Sequence, residues 1–226
     1  SYTVRLYENR PGNATNDVEH KSPNGWTWNS SLGCYESSFK YDETNTIPSL
    51  SEVFALKGWK TKDPCWSYIL PGNSVENLSN GGTQIWNLAA SSGAVVNFNA
   101  RFEAIKYTAV LHPNKPEKAS DTIENLLADG TDGWVYNVEK DGYIKEFTYD
   151  KEELIPVLEN TYALQGWHIT DGWYSKATDD INKAVWETKG GVNIGSGSTT
   201  KWNLTAIEGA ELDLYLDWEA YIYTLN

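Results

Sequence analysis

Six tryptophans sit in polar, turn-rich surroundings: Trp26 and Trp28 in NGWTWNSS, Trp66 in DPCWSY, Trp134 in DGTDGWVYN, Trp173 in TDGWYSK, and Trp186 in KAVWET. An indole presents a flat apolar face that matches the C–H face of a sugar ring. Nearby Asn, Asp, Lys and backbone groups can then bond the hydroxyls. Tryptophan is enriched where binding energy concentrates, and small-ligand sites combine apolar walls with a few placed polar groups. At about 1–2 kcal/mol per stacked ring, two or three rings give roughly micromolar-to-millimolar affinity. Affinity of that order suits a polymer with many sites. The candidate contacts are Trp26, Trp28, Trp66, Tyr68, Trp134, Tyr136, Trp173, Tyr174 and Trp186, with Trp66/Tyr68 and Trp173/Tyr174 as adjacent pairs.

The residues for bond-breaking chemistry are not assembled in the same way. A glycosidase needs two carboxylates flanking the scissile bond, one held protonated by burial. The chain has 31 acidic residues, but Asp213 and Asp217 alternate along a strand-like stretch and read as a solvated face. Glu103 and Glu219 recur at matched places and read as edge charges. His20, His112 and His168 are scattered, and the Gly-x-Ser-x-Gly elbow of a serine hydrolase does not occur. GGVNIGSGST, 190–199, lacks the Lys-Ser/Thr of a phosphate loop. DGTDGW, 129–134, offers oxygen ligands without the twelve-residue calcium loop and its closing Glu. The expectation is a protein that is not an enzyme and needs no metal or cofactor.

Charge narrows the partners. Thirty-one acidic against 18 basic side chains give a formal net charge of -13, which repels nucleic acid and anionic membrane. No apolar run reaches the roughly 18 residues of a spanning helix. The chain opens directly in strand-like sequence at Ser1-Tyr2-Thr3 and reads as a segment of a longer exported protein, monomeric within a multidomain chain.

The elements that must carry the aromatics occur twice. IWNLAASSGAVVNFNARFEAIKYT, 85–108, aligns without a gap to KWNLTAIEGAELDLYLDWEAYIYT, 201–224. YTVRLYENRP matches YTAVLHPNKP, and FKYDETNTIPSLSEVFALKGW matches FTYDKEELIPVLENTYALQGW. Repeat 1 therefore spans about 1–105 and repeat 2 about 106–226, abutting without a linker and so expected in fixed relative orientation. Leu212, Leu214, Leu216 and Trp218 alternate with polar residues, as do Val96, Phe98, Ala100 and Phe102, which is the pattern of a half-buried strand. A short helix or turn is expected after Pro48 and after Pro156, and a further helix over 120–130 with Ser120 as cap and Gly130 as stop. The fold class expected is mainly β with short helices. Trp59/Trp167, Trp86/Trp202 and Phe102/Trp218 fall on this framework and read as core packing. Trp26 and Trp134 match, as do Trp28 and Tyr136. Trp28 and the unmatched Trp186 lean toward function.

Cys34 and Cys65 align with Gly142 and Gly172 of repeat 2. Two buried thiols or one disulfide are the readings. Joint absence from repeat 2 favours a bridge between two insertions, stabilising by about 2–4 kcal/mol and implying an oxidising, extracellular setting.

The opening YTV, the F-x-Y strand, IPSL…ALKGW and the closing F-E-A or W-E-A, in that order and twice, resemble the Listeria–Bacteroides repeat of internalin B-repeats and other Gram-positive surface proteins. The resemblance covers about half the chain, the framework of both copies, and is most specific at the Gly-Trp pairs 58–59 and 166–167. It implies two tandem β-grasp-like repeats on a secreted or cell-surface bacterial protein, and it brings no catalytic set. The copies depart from it in long insertions, at about 11–34, 62–84, 117–142 and 170–200, which hold most of the extra aromatics. Tryptophan-rich modules on such frameworks look like parts of the starch-adherence proteins of gut ruminococci. The function expected is non-catalytic binding of a polysaccharide, α-glucan favoured. A structural spacer or protein-binding adhesin repeat is the alternative, and buried loop tryptophans would favour it.

Overall fold

A computed structural model describes residues 1–69, 75–78, 81–174 and 199–225. The chain divides into two compact units, Ser1–Ala104 and Ile105–Asn226, one residue from the repeat boundary in the sequence. The architecture is mainly β, with a single four-residue α-helix among the described residues.

Unit 1 contains β1 (Tyr2–Tyr7), β2 (Val18–His20), β3 (Thr27–Asn29), β4 (Cys34–Phe39), β5 (Thr44–Ile47), α1 (Leu50–Val53), β6 (Phe54–Leu56), β7 (Trp59–Ile69), β8 (Val75–Leu78), β9 (Gly82–Ile85) and β10 (Val95–Ala104). Its main sheet runs β3-β4-β1-β10-β7-β8, with β1 and β10 parallel and the other neighbours antiparallel. Unit 2 contains β11 (Lys106–His112), β12 (Glu124–Asn125), β13 (Val135–Asn137), β14 (Gly142–Thr148), β15 (Glu152–Leu154), β16 (Tyr162–Ala163), β17 (Trp167–Tyr174), β18 (Thr199–Lys201) and β19 (Glu211–Ala220). Its sheet, β13-β14-β11-β19-β17, repeats the order of unit 1, again with a parallel central pair, β11 and β19. The small ladders recur too: β2-β6 with β12-β16, and β5-β9 with β15-β18.

The alternation of apolar residues builds each core. Val4, Leu6, Val96, Phe98 and Ala100 are buried in unit 1; Ala109, Leu111, Leu212, Leu214 and Leu216 are buried in unit 2. The repeated Trp-Asn-Leu explains itself in bonds. The Tyr2 hydroxyl donates to the Trp86 carbonyl, and the Leu88 amide points back at the same hydroxyl; Tyr107 does likewise with Trp202 and Leu204. Burial pushes both phenols above their ordinary pKa. Asn87 clasps Asp42 through its backbone amide and its carboxylate, at 2.8 and 2.7 Å, and Asn203 clasps Asp150 at 2.8 and 2.8 Å. Both aspartates sit in the left-handed region, at φ 60° and 59°. The asparagine holds a backbone conformation that a non-glycine residue adopts at a cost.

The expected helix over 120–130 is corrected. No helix forms over 120–130. Ser120 donates to Asp121 and caps nothing, while Glu124 and Asn125 pair with Ala163 and Tyr162. Ile123 and Leu127 pack on the core from that extended segment, so tertiary packing overrides the local helix signal. The segment after Pro156 forms a 3-10 turn at Leu158–Asn160, where unit 1 has α1 with the Ser49/Glu52 capping box.

Cys34 and Cys65 are both buried, and neither forms the expected disulfide. They lie on β4 and β7, with β1 and β10 between them. Three strand spacings of about 4.8 Å each exceed the Cα separation of about 7 Å that a disulfide can span. The glycine that matches Cys34 has its own cause: a Cβ at Gly142 would stand 2.7 Å from the Leu111 carbonyl oxygen and 3.0 Å from Val110 Cγ1. Close backbone approach at Gly142 leaves no room there for the side chain that unit 1 carries.

Candidate functional site

The expected contact residues separate into three groups. Trp66, Trp134 and Trp173 have no exposed surface. They are interior residues, which corrects the reading of them as stacking platforms. The supposed insertions that carry them belong to the β-sheets: Trp66 and Trp173 lie inside β7 and β17, and Trp134 leads into β13. Trp66 Nε1 donates to the Pro48 carbonyl at 2.9 Å. Trp134 lies beneath the Lys145 ammonium, 5.9 Å from the ring centre, with Phe147 edge-on at 5.8 Å.

Trp26, Tyr68 and Tyr136 are half-buried and pack on the cores. Trp26 meets Phe39 edge-on at 5.9 Å, Tyr68 lies 4.5 Å from Phe98, and the Tyr136 hydroxyl donates to Asp141 at 2.7 Å. Trp28 alone among the described candidates is an exposed tryptophan, 37% accessible. The backbone of Tyr174 pairs with Tyr215, its side chain lies outside the described residues, and so does all of Trp186.

Of the framework residues expected to be core, Trp86 and Trp202 are buried and Phe102 and Trp218 pack on the cores, while Trp59, Phe102, Trp167 and Trp218 keep part of their surface open and line pockets. Gly58 and Gly166 both adopt φ 79°, a left-handed turn that glycine enters without a Cβ penalty. That turn delivers Trp59 and Trp167 to the first positions of β7 and β17, opposite Ala104 and Ala220. Phe102 and Trp218 lie two residues earlier on the closing strands, opposite Thr61 and Ile169. In unit 1 Trp59, Phe102, Phe54, Leu56 and Thr61 line an open pocket of about 340 Å³. In unit 2 Trp167, Trp218, Tyr162, Leu164, Ile169 and Tyr221 line its counterpart, about 260 Å³. Trp59, Phe102, Trp167 and Trp218 are each half-buried. The Trp218 ring is fixed by donating from Nε1 to the Pro113 carbonyl at 2.6 Å. His168 stacks on Tyr221 at 5.0 Å at the rim.

A row of rings leads from each pocket to the first strand edge. Trp28 meets Tyr35 at 5.0 Å, and Tyr35 meets Phe54 at 5.8 Å. In unit 2 Tyr136, Tyr143 and Tyr162 repeat the row at 5.3 and 5.4 Å. His20 ties Trp28 to the unit 1 pocket, 4.3 Å from the indole and 5.4 Å from Phe54, and its Nε2 donates to Glu8 Oε2 at 2.6 Å. The structure thus joins Trp28 to residues that the hydrophobic pattern assigns to the core. The available signal was position: Trp59 and Trp167 open their strands just after a glycine turn, and Phe102 and Trp218 lie two residues before the ends of theirs.

Carboxylates do not converge in either pocket as a close buried pair among the described residues. No group of three or more His, Cys, Asp or Glu suited to a metal occurs among the described residues, and none of the described helices is long and apolar enough to cross a membrane. No protein-family model, curated protein or solved structure matches the chain.

Proposed function

We propose that the protein is a non-catalytic carbohydrate-binding module of a bacterial surface or secreted protein, holding a sugar ring in the aromatic pocket of each unit. The observation that carries this reading is the recurrence of a half-open aromatic pair, Trp59/Phe102 and Trp167/Trp218, at the same register in both units. A core needs its aromatics closed. Two rings left half-open at one place in two diverged copies offer apolar faces to a flat ligand, with Glu159 and His168 or Glu19 and the lysines on the surrounding walls to meet hydroxyls. The scaffold is a β-grasp variant akin to the Listeria–Bacteroides repeat. The central order β4-β1-β10-β7 with its parallel inner pair supports that assignment. Surface location rests on this likeness alone, since the cysteines give it no support.

A spacer or adhesin role is the second reading, and one observation favours it: Trp66, Trp134 and Trp173 serve the cores. Affinity electrophoresis decides between the two. The purified chain is run through gels containing soluble starch, β-glucan, xylan, mannan or mucin, beside Trp59→Ala, Trp167→Ala, Trp218→Ala and Trp28→Ala. Retardation by one glycan, weakened roughly 5–30-fold in a folded pocket variant, establishes the lectin-like role, since each ring is worth about 1–2 kcal/mol. Unretarded migration in every gel moves the assignment to a spacer.

A further inference from the structure

The two pockets share their rings and differ in charge. Lys21, Lys57 and Lys60 stand around the unit 1 pocket, with Glu19 as the one acid in its wall. The equivalent places in unit 2 follow from the strand registers. His20 opposes Phe54 and Asn125 opposes Tyr162, so Lys21 corresponds to Leu126. Lys57 and Gln165 immediately precede the two glycine turns. Lys60 and His168 oppose Glu103 and Glu219. All three lysines are replaced together, and Glu159 joins the unit 2 wall where Ser51 stands in unit 1.

This concentration of cations runs against the composition of the chain, which has 31 acidic and 18 basic residues. The groups are also placed. Lys21 Nζ donates to the Ser51 carbonyl at 2.9 Å, which pins it at the pocket wall. Lys60 Nζ stands 3.4 Å from Glu103 Oε1, both side chains solvent-accessible, so an anion can share that ammonium. Lys57 is exposed. At physiological salt, charges further away than about 8 Å are largely screened, so a small ligand in this pocket meets the lysines and little of the net charge of the chain.

We infer that the unit 1 pocket takes a sugar carrying an acid group, a uronic acid or a sulfated sugar, with its ring on Trp59 and Phe102 and its anion toward Lys21, Lys57 and Lys60, while the unit 2 pocket takes a neutral sugar. The inference rests on the saccharide reading above and adds the ligand class. An ammonium acts as a compact point charge and does not demand the flat two-point geometry of a carboxylate, so either acid group satisfies it.

The test is calorimetric titration of the whole chain with trigalacturonate, its methyl ester, a sulfated disaccharide, the desulfated parent and maltotriose. Two variants accompany it: Trp59→Ala, and a triple variant with Lys21→Leu, Lys57→Gln and Lys60→His. The triple variant installs residues that the second unit already tolerates. The expected result is trigalacturonate bound about tenfold more tightly than its ester, the step set by about 1.4 kcal/mol. That preference shrinks with added salt and disappears in the triple variant, whereas Trp59→Ala weakens acid and ester together. The same pattern for the sulfated disaccharide over its parent supports the pocket with sulfate as the acid group. Equal binding of acid and ester, with maltotriose still bound, overturns the charge inference and leaves the saccharide reading intact. An acid preference that survives in the triple variant also overturns it. Failure of every sugar to bind overturns both.

Discussion

Unit 1 and unit 2 use one skeleton and close it differently. In unit 1 Trp66 Nε1 reaches the Pro48 carbonyl. In unit 2 the matched Trp173 is as deeply buried, yet its Nε1 has no partner among the described residues; the only other buried polar atom in that state among the described side chains is His168 Nδ1, also in unit 2. Beside Trp26 in the chain, the Gly25 carbonyl of unit 1 accepts from Ser37. Unit 2 places Lys145 over Trp134 and Phe147 and 2.8 Å from Glu153, with both side chains about nine-tenths buried. Lys151 adds a second 2.8 Å contact to the same carboxylate. Burial alone would raise the Glu153 pKa, but hydrogen bonds from the two lysines outweigh it and hold the carboxyl below its ordinary value. Duplication kept the strands and the asparagine clasps and let the chemistry of cover and rim diverge. The lesson is that the hydrophobic pattern specifies the scaffold, while polar groups above it are free to differ.

That contrast can be broken most forcefully at Trp134. Trp134→Ala opens a cavity in a full core and should cost about 3–5 kcal/mol. The loss should appear in the unit 2 transition of a denaturant titration, with unit 1 fluorescence unfolding at its original midpoint; equal loss in both transitions would mean that the units do not unfold separately. Next comes Lys145→Ala, which leaves Glu153 poorly compensated and should destabilise unit 2 by about 3 kcal/mol. The pH dependence carries the sign. A carboxyl whose folded pKa is depressed adds stability above its unfolded value, near 4.3, and that stability is lost as pH falls through the lower folded value. Unit 2 of the parent protein should therefore weaken on acidification below about pH 4, and Lys145→Ala should flatten that slope; an unchanged slope would discard the role of Glu153.

A subtler comparison sets Trp66→Phe beside Trp173→Phe. The first orphans the Pro48 carbonyl and the second removes a donor that was already unpaired, so the first should be costlier by about 1–2 kcal/mol. Equal midpoints would show that Trp173 Nε1 has a partner in solution. The smallest effect concerns the cysteines. Adding a thiol reductant should leave the melting temperature where it was, whereas a drop equivalent to about 2–4 kcal/mol would reveal a disulfide.

Strands and duplication were legible in the sequence because both are written in local periodicity. Leu212 to Trp218 alternates every second residue, and the copies align around it. The site was less legible. Burial of a tryptophan depends on what covers it, and Trp134 is covered by Lys145, a residue outside its own segment. Cys65 and Trp66 lie in a stretch that reads as a polar insertion but belongs to β7, which runs from Trp59 to Ile69 across a bulge between Thr61 and Trp66. Conversely, Trp59 and Phe102 look like core by their place in the pattern, and they end at the rim because the strands stop there. The segment 120–130 carries a cap and a stop for a helix, yet Ile123 and Leu127 reach the core only from an extended chain.

The order of strands in each sheet has a mechanical meaning. In each unit the first and last strands are parallel neighbours at the centre of the sheet, with Thr3 to Tyr7 beside Val95 to Asn99 and Thr108 to His112 beside Glu211 to Tyr215. Tension applied to the two ends of a unit pulls these strands past each other along their length. The ladder between them is then loaded in shear, with its hydrogen bonds resisting together, where a hairpin pulled from its open end would release them one at a time. Each unit is built as a tensile link, stiffest along the line on which the chain enters and leaves.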